Sequence, residues 1–305
     1  MSISRRVRED LGGQSWIRQM FEAGMALKEK VGEERVFDLS LGNPVLEPPE
    51  EFHRLLRQLA EACPPGLPEV REAVAARLAR ETGLPFMGED VVMTCGAGGA
   101  LNIILKALLD PGDEVVVFRP FFPEYPFYTQ NHGGVPRLAP TDEAFLPDLK
   151  ALERLLTPRT KAVLINSPNN PTGVVYPAAV VRGLGEVLAR AQGRFGATIY
   201  LVSDEPYAPL VYDGVVPPCV FHHHPATVVA TSYSKSLALP GERIGYAAVS
   251  PRCPEKGELL DALIFANRVL GFVNAPALVQ YLVKALQGVT VDVGWYQRRR
   301  DLVYE

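Results

Sequence analysis

The sequence predicts an α/β fold in which helices cover both faces of a mostly parallel sheet. Short apolar runs rich in β-branched residues, four or five residues long, recur between residues 90 and 249. Helical patterns separate these runs, as in a chain of successive β–α units. The runs are continuously apolar, which is typical of strands buried on both faces. Ligands of such sheets bind at the carboxyl ends of the strands, so functional residues are expected directly after each run.

Two helices are predicted before the first strand. The first covers residues 15–30, where Ser15 can cap the amino end and an apolar stripe follows, formed by Ile17, Met20, Phe21, Met25 and Leu27. The second runs from Pro68 to Thr82, because proline suits a first helical turn and Val70, Val74 and Leu78 form an apolar face.

The later elements alternate along the chain. Strands are predicted at residues 90–94, 114–118, 161–165, 198–202, 227–230 and 246–249, where β-branched residues cluster. Helices are predicted at residues 98–108, 149–156 and 178–192, where apolar residues recur at helical spacing.

Composition narrows the class of protein. The chain has 305 residues, of which 47% are hydrophobic and 22% charged, as in a globular protein with a sizeable core. The net charge of −4 provides no basic field for nucleic acid or an anionic membrane. The apolar runs are too short to span a bilayer, and the amino terminus lacks the apolar segment of a secretory signal. The four cysteines form no CxxC pair, so we expect reduced thiols and a cytoplasmic protein.

Small residues follow the strand at 90–94. The segment "CGAGGALNIIL" places three glycines directly before a helix. The amino end of a helix offers free backbone N–H groups and a positive dipole, which together favour phosphate binding. A tight strand-to-helix turn without a ligand is the alternative interpretation.

Three further strands end in polar or aromatic residues. The aromatic segment "RPFFPEYPFY" suits either a stacking surface for a flat ligand or core packing. Asn170, in "NSPNNPTG", has an amide that can donate a hydrogen bond into a site, although the segment alone indicates only a turn. Asp204 ends a buried strand, three residues before Tyr207, and needs a cationic partner unless it caps nearby backbone.

One lysine follows the strand at 227–230. Lys235 lies in "TSYSKSLALPGERIGY", eight residues before Arg243. A lysine in a cleft of low dielectric loses its proton readily and becomes a nucleophile for Schiff-base chemistry, although most lysines are solvated surface charges. A phosphate turn, an aromatic surface, an amide, an acid and a lysine after successive strands match one cofactor, pyridoxal phosphate.

These motifs resemble the class I and II aminotransferases, which are fold-type I pyridoxal-phosphate enzymes of the aspartate aminotransferase group. The resemblance runs from about residue 37 to the end of the chain and rests on "SYSKSLALPGERIGY", "NNPTG", "SDEPY" and "DPGDEVVVFRPFFPEY". It implies a three-layer α/β/α fold with one antiparallel strand. That strand is "RIGYAAVS", which follows the lysine too closely for a crossover helix.

The resemblance also implies the role of each site residue. Lys235 would bind pyridoxal 5′-phosphate as a Schiff base and carry the catalytic proton, and Asp204 would pair with the ring nitrogen. Tyr207 and Asn170 would hydrogen-bond the phenolic oxygen, and Phe122 would stack on the ring. The phosphate would be held by Ala97, Gly98, Ser232 and Arg243, and the substrate by Gly42 and Asn170.

The expected function is transamination between an L-amino acid and a 2-oxo acid in a homodimer with shared active sites. A lyase or synthase that releases a β- or γ-substituent by the same Schiff base is the alternative. The resemblance implies three segments: 1–45 and 286–305 from an incomplete small α/β domain, and 46–285 as the cofactor-binding domain.

Two departures from the family pattern are expected to matter. A tyrosine that usually precedes "GLPEVREAV" is missing, and the arginine that grips the substrate carboxylate belongs to a later region than this sequence contains. A cofactor-binding remnant with impaired turnover is therefore a second alternative. The histidines at 222–224 are expected on a surface loop, without a metal, because adjacent side chains point apart.

Overall fold

The computed structural model describes residues 16–36, 46–54 and 68–305. The chain divides into two units, Met1–Pro44 and Val45–Glu305. In the first unit, helix α1 (Trp16–Val31) is followed by a short 3-10 helix (Glu33–Arg35). All other elements belong to the second unit. The predicted division into segments 1–45, 46–285 and 286–305 stays a prediction.

A seven-stranded sheet forms the centre of the second unit. Its strands are β1 (Val91–Thr94), β2 (Glu114–Phe118), β3 (Val135–Ala139), β4 (Thr160–Asn166), β5 (Tyr200–Asp204), β6 (Thr227–Ser232) and β7 (Gly245–Val249). They lie side by side in the order β1-β7-β6-β5-β4-β2-β3. Strand β7 is antiparallel to β1 and β6, and the other neighbours are parallel. The antiparallel strand expected after the lysine is thereby confirmed.

Nine labelled helices accompany this sheet in the described part of the second unit. They are α2 (Pro68–Thr82), α3 (Gly96–Leu108), α4 (Tyr125–Asn131), α5 (Leu149–Leu155), α6 (Ala178–Phe195), α7 (Tyr233–Ser236), α8 (Lys256–Val269), α9 (Ala277–Ala285) and α10 (Val293–Tyr304). Residues 50–54 are also helical. Helix α2 has the predicted bounds because its buried Val70, Val74 and Leu78 form the expected apolar face.

Apolar side chains cover both faces of the sheet. Alternate residues of one strand join different core clusters: Val116 belongs to one cluster, and Val115 and Val117 belong to the other. Val163 and Leu164 of β4 separate in the same way. Since neighbouring side chains of a strand point to opposite faces, the two clusters lie on opposite sides of the sheet. The predicted α/β/α arrangement is confirmed.

Strand β3 was not predicted. Its sequence, "VPRLA", contains a proline and an arginine, and only its last residue is buried. It pairs with β2 alone and lies at the edge of the sheet. An edge strand tolerates proline and exposed polar residues because one of its sides needs no hydrogen-bonded neighbour. The apolar pattern that identified the central strands is therefore weak here.

Strand β5 extends two residues beyond its predicted end. The observed strand covers Tyr200–Asp204, so Asp204 is its last residue. The register pairs Asp204 with Asn166 of β4 and Ala230 of β6.

Among the described residues, no helix is long and apolar enough to cross a membrane.

Candidate active site

The turn between β1 and α3 meets the side chain of Arg243. Gly96 begins α3 with a φ of 73°, a left-handed conformation that favours glycine. A Cβ atom on Gly96 would lie 2.9 Å from the Nη2 atom of Arg243, so the guanidinium group lies directly against this turn. Ala97 and Gly98 continue the first turn, where backbone N–H groups have no partner within the helix. A cation and free N–H groups thus occupy one place, as an anion site requires.

The lysine segment touches the same turn. A Cβ atom on Gly245, the first residue of β7, would lie 2.3 Å from the carbonyl oxygen of Thr231 and 2.9 Å from the backbone of Gly96. Ser232 pairs with Gly245 in the sheet and is buried. These close backbone contacts place the end of β6, the start of β7 and the glycine turn together.

Lys235 lies on the short helix α7 and is half-buried. Burial lowers the pKa of its amine, because the charged form loses solvation, and the positive charge of Arg243 lowers it further. A lysine with a lowered pKa carries a larger neutral fraction than an exposed one, and the neutral amine is the nucleophilic form.

Asp204 is buried at the carboxyl end of β5 and receives a hydrogen bond from Tyr125. The Tyr125 hydroxyl donates to Oδ2 at 2.6 Å. The other oxygen, Oδ1, is buried and has no hydrogen-bond partner among the described residues. Burial raises the pKa of this carboxyl group from 3.8 to about 7, although the Tyr125 hydrogen bond opposes the shift. An unpartnered carboxylate oxygen is costly in such a place unless a cationic ligand faces it.

Asn170 and Tyr207 are joined beside Asp204. The Asn170 side-chain nitrogen donates to the Tyr207 hydroxyl at 3.4 Å. The backbone N–H of Asn170 donates to Oδ1 of Asn166 at 2.6 Å, and the Asn166 amide donates to the carbonyl oxygen of Asp204 at 2.8 Å. Burial raises the pKa of Tyr207, and the charge of Asp204 raises it further. The loop after β4 is therefore tied to the end of β5.

The aromatic segment contributes rings to the same site. Phe122 is half-buried and packs edge-on against Tyr125, with ring centroids 5.5 Å apart. Tyr128 lies one turn further along α4, and its hydroxyl lies 3.3 Å from the position that a Cβ atom would take on Gly98. The core-packing interpretation of this segment holds for Tyr125, which is buried, although its hydroxyl also donates a hydrogen bond to Asp204.

The sequence did not single out Tyr125. Five aromatic residues lie within eight positions, and no spacing rule says which of them faces Asp204. The available signal was physical: a buried carboxylate needs a donor, and tyrosine is the only ring type in this segment that carries a hydroxyl. Gly42, predicted to contact the substrate, lies outside the described residues.

The histidines at 222–224 do not share one surface. The Nε2 atom of His222 lies 2.7 Å from the carbonyl oxygen of Thr82, and that of His224 lies 2.8 Å from the carbonyl oxygen of Ile199. His224 is fully buried, so the expected surface position is wrong for this residue. The backbone contact satisfies Nε2 of this buried ring, while Nδ1 has no hydrogen-bond partner among the described residues.

These residues fit pyridoxal 5′-phosphate. The cofactor has a phosphate, a flat ring, a ring nitrogen that accepts a proton and an aldehyde that reacts with amines. The buried oxygen of Asp204 is the observation that tests the fit, because it has no hydrogen-bond partner among the described residues. A protonated ring nitrogen would satisfy it, while the turn at Gly96 suits the phosphate and Lys235 suits the aldehyde.

Comparison with known proteins agrees with this chemistry. The profile of the family "Aminotransferase class I and II" matches residues 37–302. A probable aspartate/prephenate aminotransferase of Thermus aquaticus is 36% identical over 285 residues, which cover 88% of this chain and 70% of that protein. The aspartate/prephenate aminotransferase of Thermus thermophilus is 41% identical over 219 residues, 68% of this chain and 55% of that protein.

A solved structure is similar over the whole chain. The amino transferase of Eubacterium rectale has a TM-score of 0.94 at 37% sequence identity. The match covers 100% of this chain and 79% of the Eubacterium rectale chain. This chain therefore spans only part of the length of each of these relatives. It belongs to the class I and II aminotransferases, pyridoxal-phosphate enzymes that transfer amino groups between amino acids and 2-oxo acids.

Proposed function

We propose that this chain transfers the amino group of an L-amino acid to a 2-oxo acid, with pyridoxal 5′-phosphate held at the carboxyl ends of β5 and β6. The observation that supports this proposal most is the buried, unpartnered Oδ1 of Asp204 in a site that also contains a lysine of lowered pKa. When bound, the cofactor supplies an aldehyde that condenses with amines and a ring that accepts electrons.

Lys235 is the proposed covalent anchor and proton carrier. Its lowered pKa keeps a larger share of the amine neutral, so Nζ can act as a nucleophile and can accept a proton and return it. The cationic Arg243 contributes to that lowered pKa and is exposed, so it also remains available to an anion.

Asp204 is the proposed partner of the ring nitrogen. Its Oδ1 can accept a hydrogen bond from a protonated nitrogen, while Tyr125 holds Oδ2 in place. A cationic partner would favour the carboxylate form of Asp204, opposing the effect of burial. Asn170 and Tyr207 are the proposed donors to the phenolic oxygen, because their polar groups already meet each other beside Asp204.

The phosphate would be held at the amino end of α3. The proposed contacts are the backbone N–H groups of Ala97 and Gly98, the hydroxyl of Ser232 and the guanidinium group of Arg243. Phe122 is the proposed stacking ring. The roles of Gly42 and Asn170 toward the substrate stay predictions.

The proposed amino donor is an acidic L-amino acid. Both Thermus relatives carry aspartate in their names. The relatives compared above are all aminotransferases, which favours transamination over release of a β- or γ-substituent.

We also propose a cytoplasmic location, since the described cysteines, Cys95, Cys219 and Cys253, are free thiols.

A homodimer is proposed from one exposed apolar surface. Helix α8, the segment after it and the first turn of α9 expose large apolar side chains, namely Ile264, Phe265, Val269, Val273 and Leu278. Phe265 and Val273 are each 65% exposed. Apolar side chains grouped in this way are typical of subunit interfaces. A Phe265→Asp variant should shift the mass measured by light scattering from dimer to monomer, and an unshifted mass would argue against this surface.

The proposed reaction has a direct test. The purified chain is incubated with pyridoxal 5′-phosphate, reduced with borohydride and digested for mass spectrometry. We expect the cofactor on Lys235, and we expect Lys235→Ala to lose it while the exposed Lys150→Ala keeps it. Addition of L-aspartate should change the absorbance of the lysine-bound cofactor, and a 2-oxo acid should restore it.

Three outcomes would contradict the proposal. Cofactor trapped equally by the Lys235→Ala variant would refute the anchor. An absorbance that no amino acid changes would favour a cofactor-binding protein without turnover. Ammonia or thiol released without an oxo-acid acceptor would indicate a lyase.

A further inference from the structure

We propose that the hydroxyl group of Tyr128 donates a hydrogen bond to the phosphate bound at the amino end of α3. Tyr128 ends the aromatic segment "RPFFPEYPFY", for which the sequence predicted only a stacking surface or core packing. The inference rests on the proposed function, because the phosphate belongs to the proposed cofactor.

The position of the Tyr128 hydroxyl carries the proposal. It lies 3.3 Å from the position that a Cβ atom would occupy on Gly98, in the first turn of α3. The Nη2 atom of Arg243 lies 2.9 Å from the corresponding position on Gly96, in the same turn. Two polar side-chain ends from distant parts of the chain therefore meet one helical turn whose N–H groups lack helical partners. A donor and a cation beside such a turn are the components of a phosphate site.

The hydroxyl is available to a ligand. Among the described residues, no group forms a hydrogen bond with it, although the ring packs against the core cluster that contains Tyr125. Burial raises the pKa of Tyr128 to about 12. The phenol is therefore neutral near pH 7 and can donate its hydrogen to a phosphate oxygen without charge repulsion.

The hydroxyl groups of Tyr125 and Tyr128 have different partners in the proposed site. They lie three residues apart on α4, and residues at this spacing share one face of a helix. The Tyr125 hydroxyl is engaged by Asp204 at 2.6 Å. Besides burial, the charges of Glu124 and Asp204 raise the pKa of the Tyr128 hydroxyl, and that of Arg243 lowers it. One helix would thus supply a hydroxyl to each end of the cofactor.

The experiment separates the phosphate from the ring. Cofactor-free wild-type chain, Tyr128→Phe and Tyr200→Phe are titrated with pyridoxal 5′-phosphate and, in parallel, with pyridoxal, which lacks the phosphate. Tyr200 is a matched control, because it is half-buried, its pKa is also raised to about 12, and it lies at the opposite end of β5 from Asp204. Inorganic phosphate is then tested as a competitor of pyridoxal 5′-phosphate binding.

We expect Tyr128→Phe to weaken pyridoxal 5′-phosphate binding by about ten- to a hundredfold, as loss of a hydrogen bond to a charged group implies. The inhibition constant of inorganic phosphate should rise in parallel, and pyridoxal binding should stay within about twofold of wild type. Tyr200→Phe should match wild type throughout.

Two results would overturn the inference. Unchanged pyridoxal 5′-phosphate binding would show that the hydroxyl does not contact the phosphate. An equal loss of pyridoxal binding would show that Tyr128 acts on the ring or on folding. Failure of the cofactor assignment on which the inference rests is distinct from both, because wild type itself would then bind neither compound.

Discussion

The Tyr125 hydroxyl donates a hydrogen bond to Oδ2 of Asp204 at 2.6 Å, across 79 residues of sequence. This contact fixes a buried carboxyl group at the end of β5 and leaves its Oδ1 without a partner among the described residues. The site is therefore prepared for a cation before any ligand binds. Without the ligand, the protein bears the cost of a buried acid.

The stability of the cofactor-free chain should fall as pH rises from about 4 to about 7. The pKa of Asp204 is raised from 3.8 to about 7, so the folded state binds its proton more tightly than the unfolded state does. That stabilisation is complete below pH 3.8 and is lost as pH rises through about 7. A difference of this size is on the order of 4 kcal/mol.

The Asp204→Asn variant should lack this part of the pH dependence. The measurement is urea unfolding of both cofactor-free proteins between pH 4 and pH 8. The pKa of Glu205 is also raised to about 7, first by burial and also by the charge of Asp204, so only the part due to burial is common to both proteins. Identical pH profiles would contradict the assignment of this proton to Asp204.

Loss of the Tyr125 hydroxyl should destabilise the chain most at high pH. In Tyr125→Phe the Asp204 carboxylate loses the donor that now lowers its pKa, so that pKa should rise further. We expect unfolding to require about 1–3 kcal/mol less than in wild type at pH 8, and a smaller loss at pH 5. Tyr200→Phe, measured in the same urea series, should show neither effect. An equal loss at both pH values would indicate a packing defect instead.

A methyl group on Gly245 should disrupt the glycine turn. A Cβ atom there would lie 2.3 Å from the Thr231 carbonyl oxygen, so the backbone must move. Gly245→Ala should lower the free energy of unfolding by about 1–3 kcal/mol and should weaken cofactor binding as well. In contrast, Gly193 lies within α6 with nothing within 4 Å of its Cβ position. Gly193→Ala should therefore gain about 0.5–1 kcal/mol. Urea unfolding of both variants tests the pair, and wild-type stability of Gly245→Ala would exclude the close contact.

Removal of the charge on Arg243 should raise the pKa of Lys235. Arg243 contributes to the lowered pKa of this lysine, so Arg243→Gln should shift its titration to higher pH. The rate of acetylation of Lys235, followed by mass spectrometry against the exposed Lys150, reports this shift in the cofactor-free chain. Arg190→Gln is the control, since Arg190 pairs with Glu153 on the surface. If the pH dependence of Lys235 acetylation is the same in wild type, Arg243→Gln and Arg190→Gln, the charge of Arg243 does not affect the pKa of Lys235.

The sequence could predict the fold because its signals are local. Six of the seven strands are continuous apolar runs, and β3 was missed because its proline and arginine suit an edge position that only the tertiary structure reveals. The sequence could also indicate which residues follow the strands, and in the structure Asn170, Asp204 and Tyr207 lie together. It could not select Tyr125 or Tyr128 from five aromatic residues, because the facing side of α4 depends on how the helix packs.

The pairing of β1 with β7 has a consequence for synthesis of the protein. Strand β1 precedes the glycine turn, lies at the edge of the described sheet and pairs only with β7, which ends at Val249. A ribosome-bound chain that has not yet released Val249 therefore lacks the neighbour that holds this turn in place. We therefore expect cofactor binding to begin only after the chain has emerged as far as Val249, and nascent fragments that end earlier should not bind the cofactor stably.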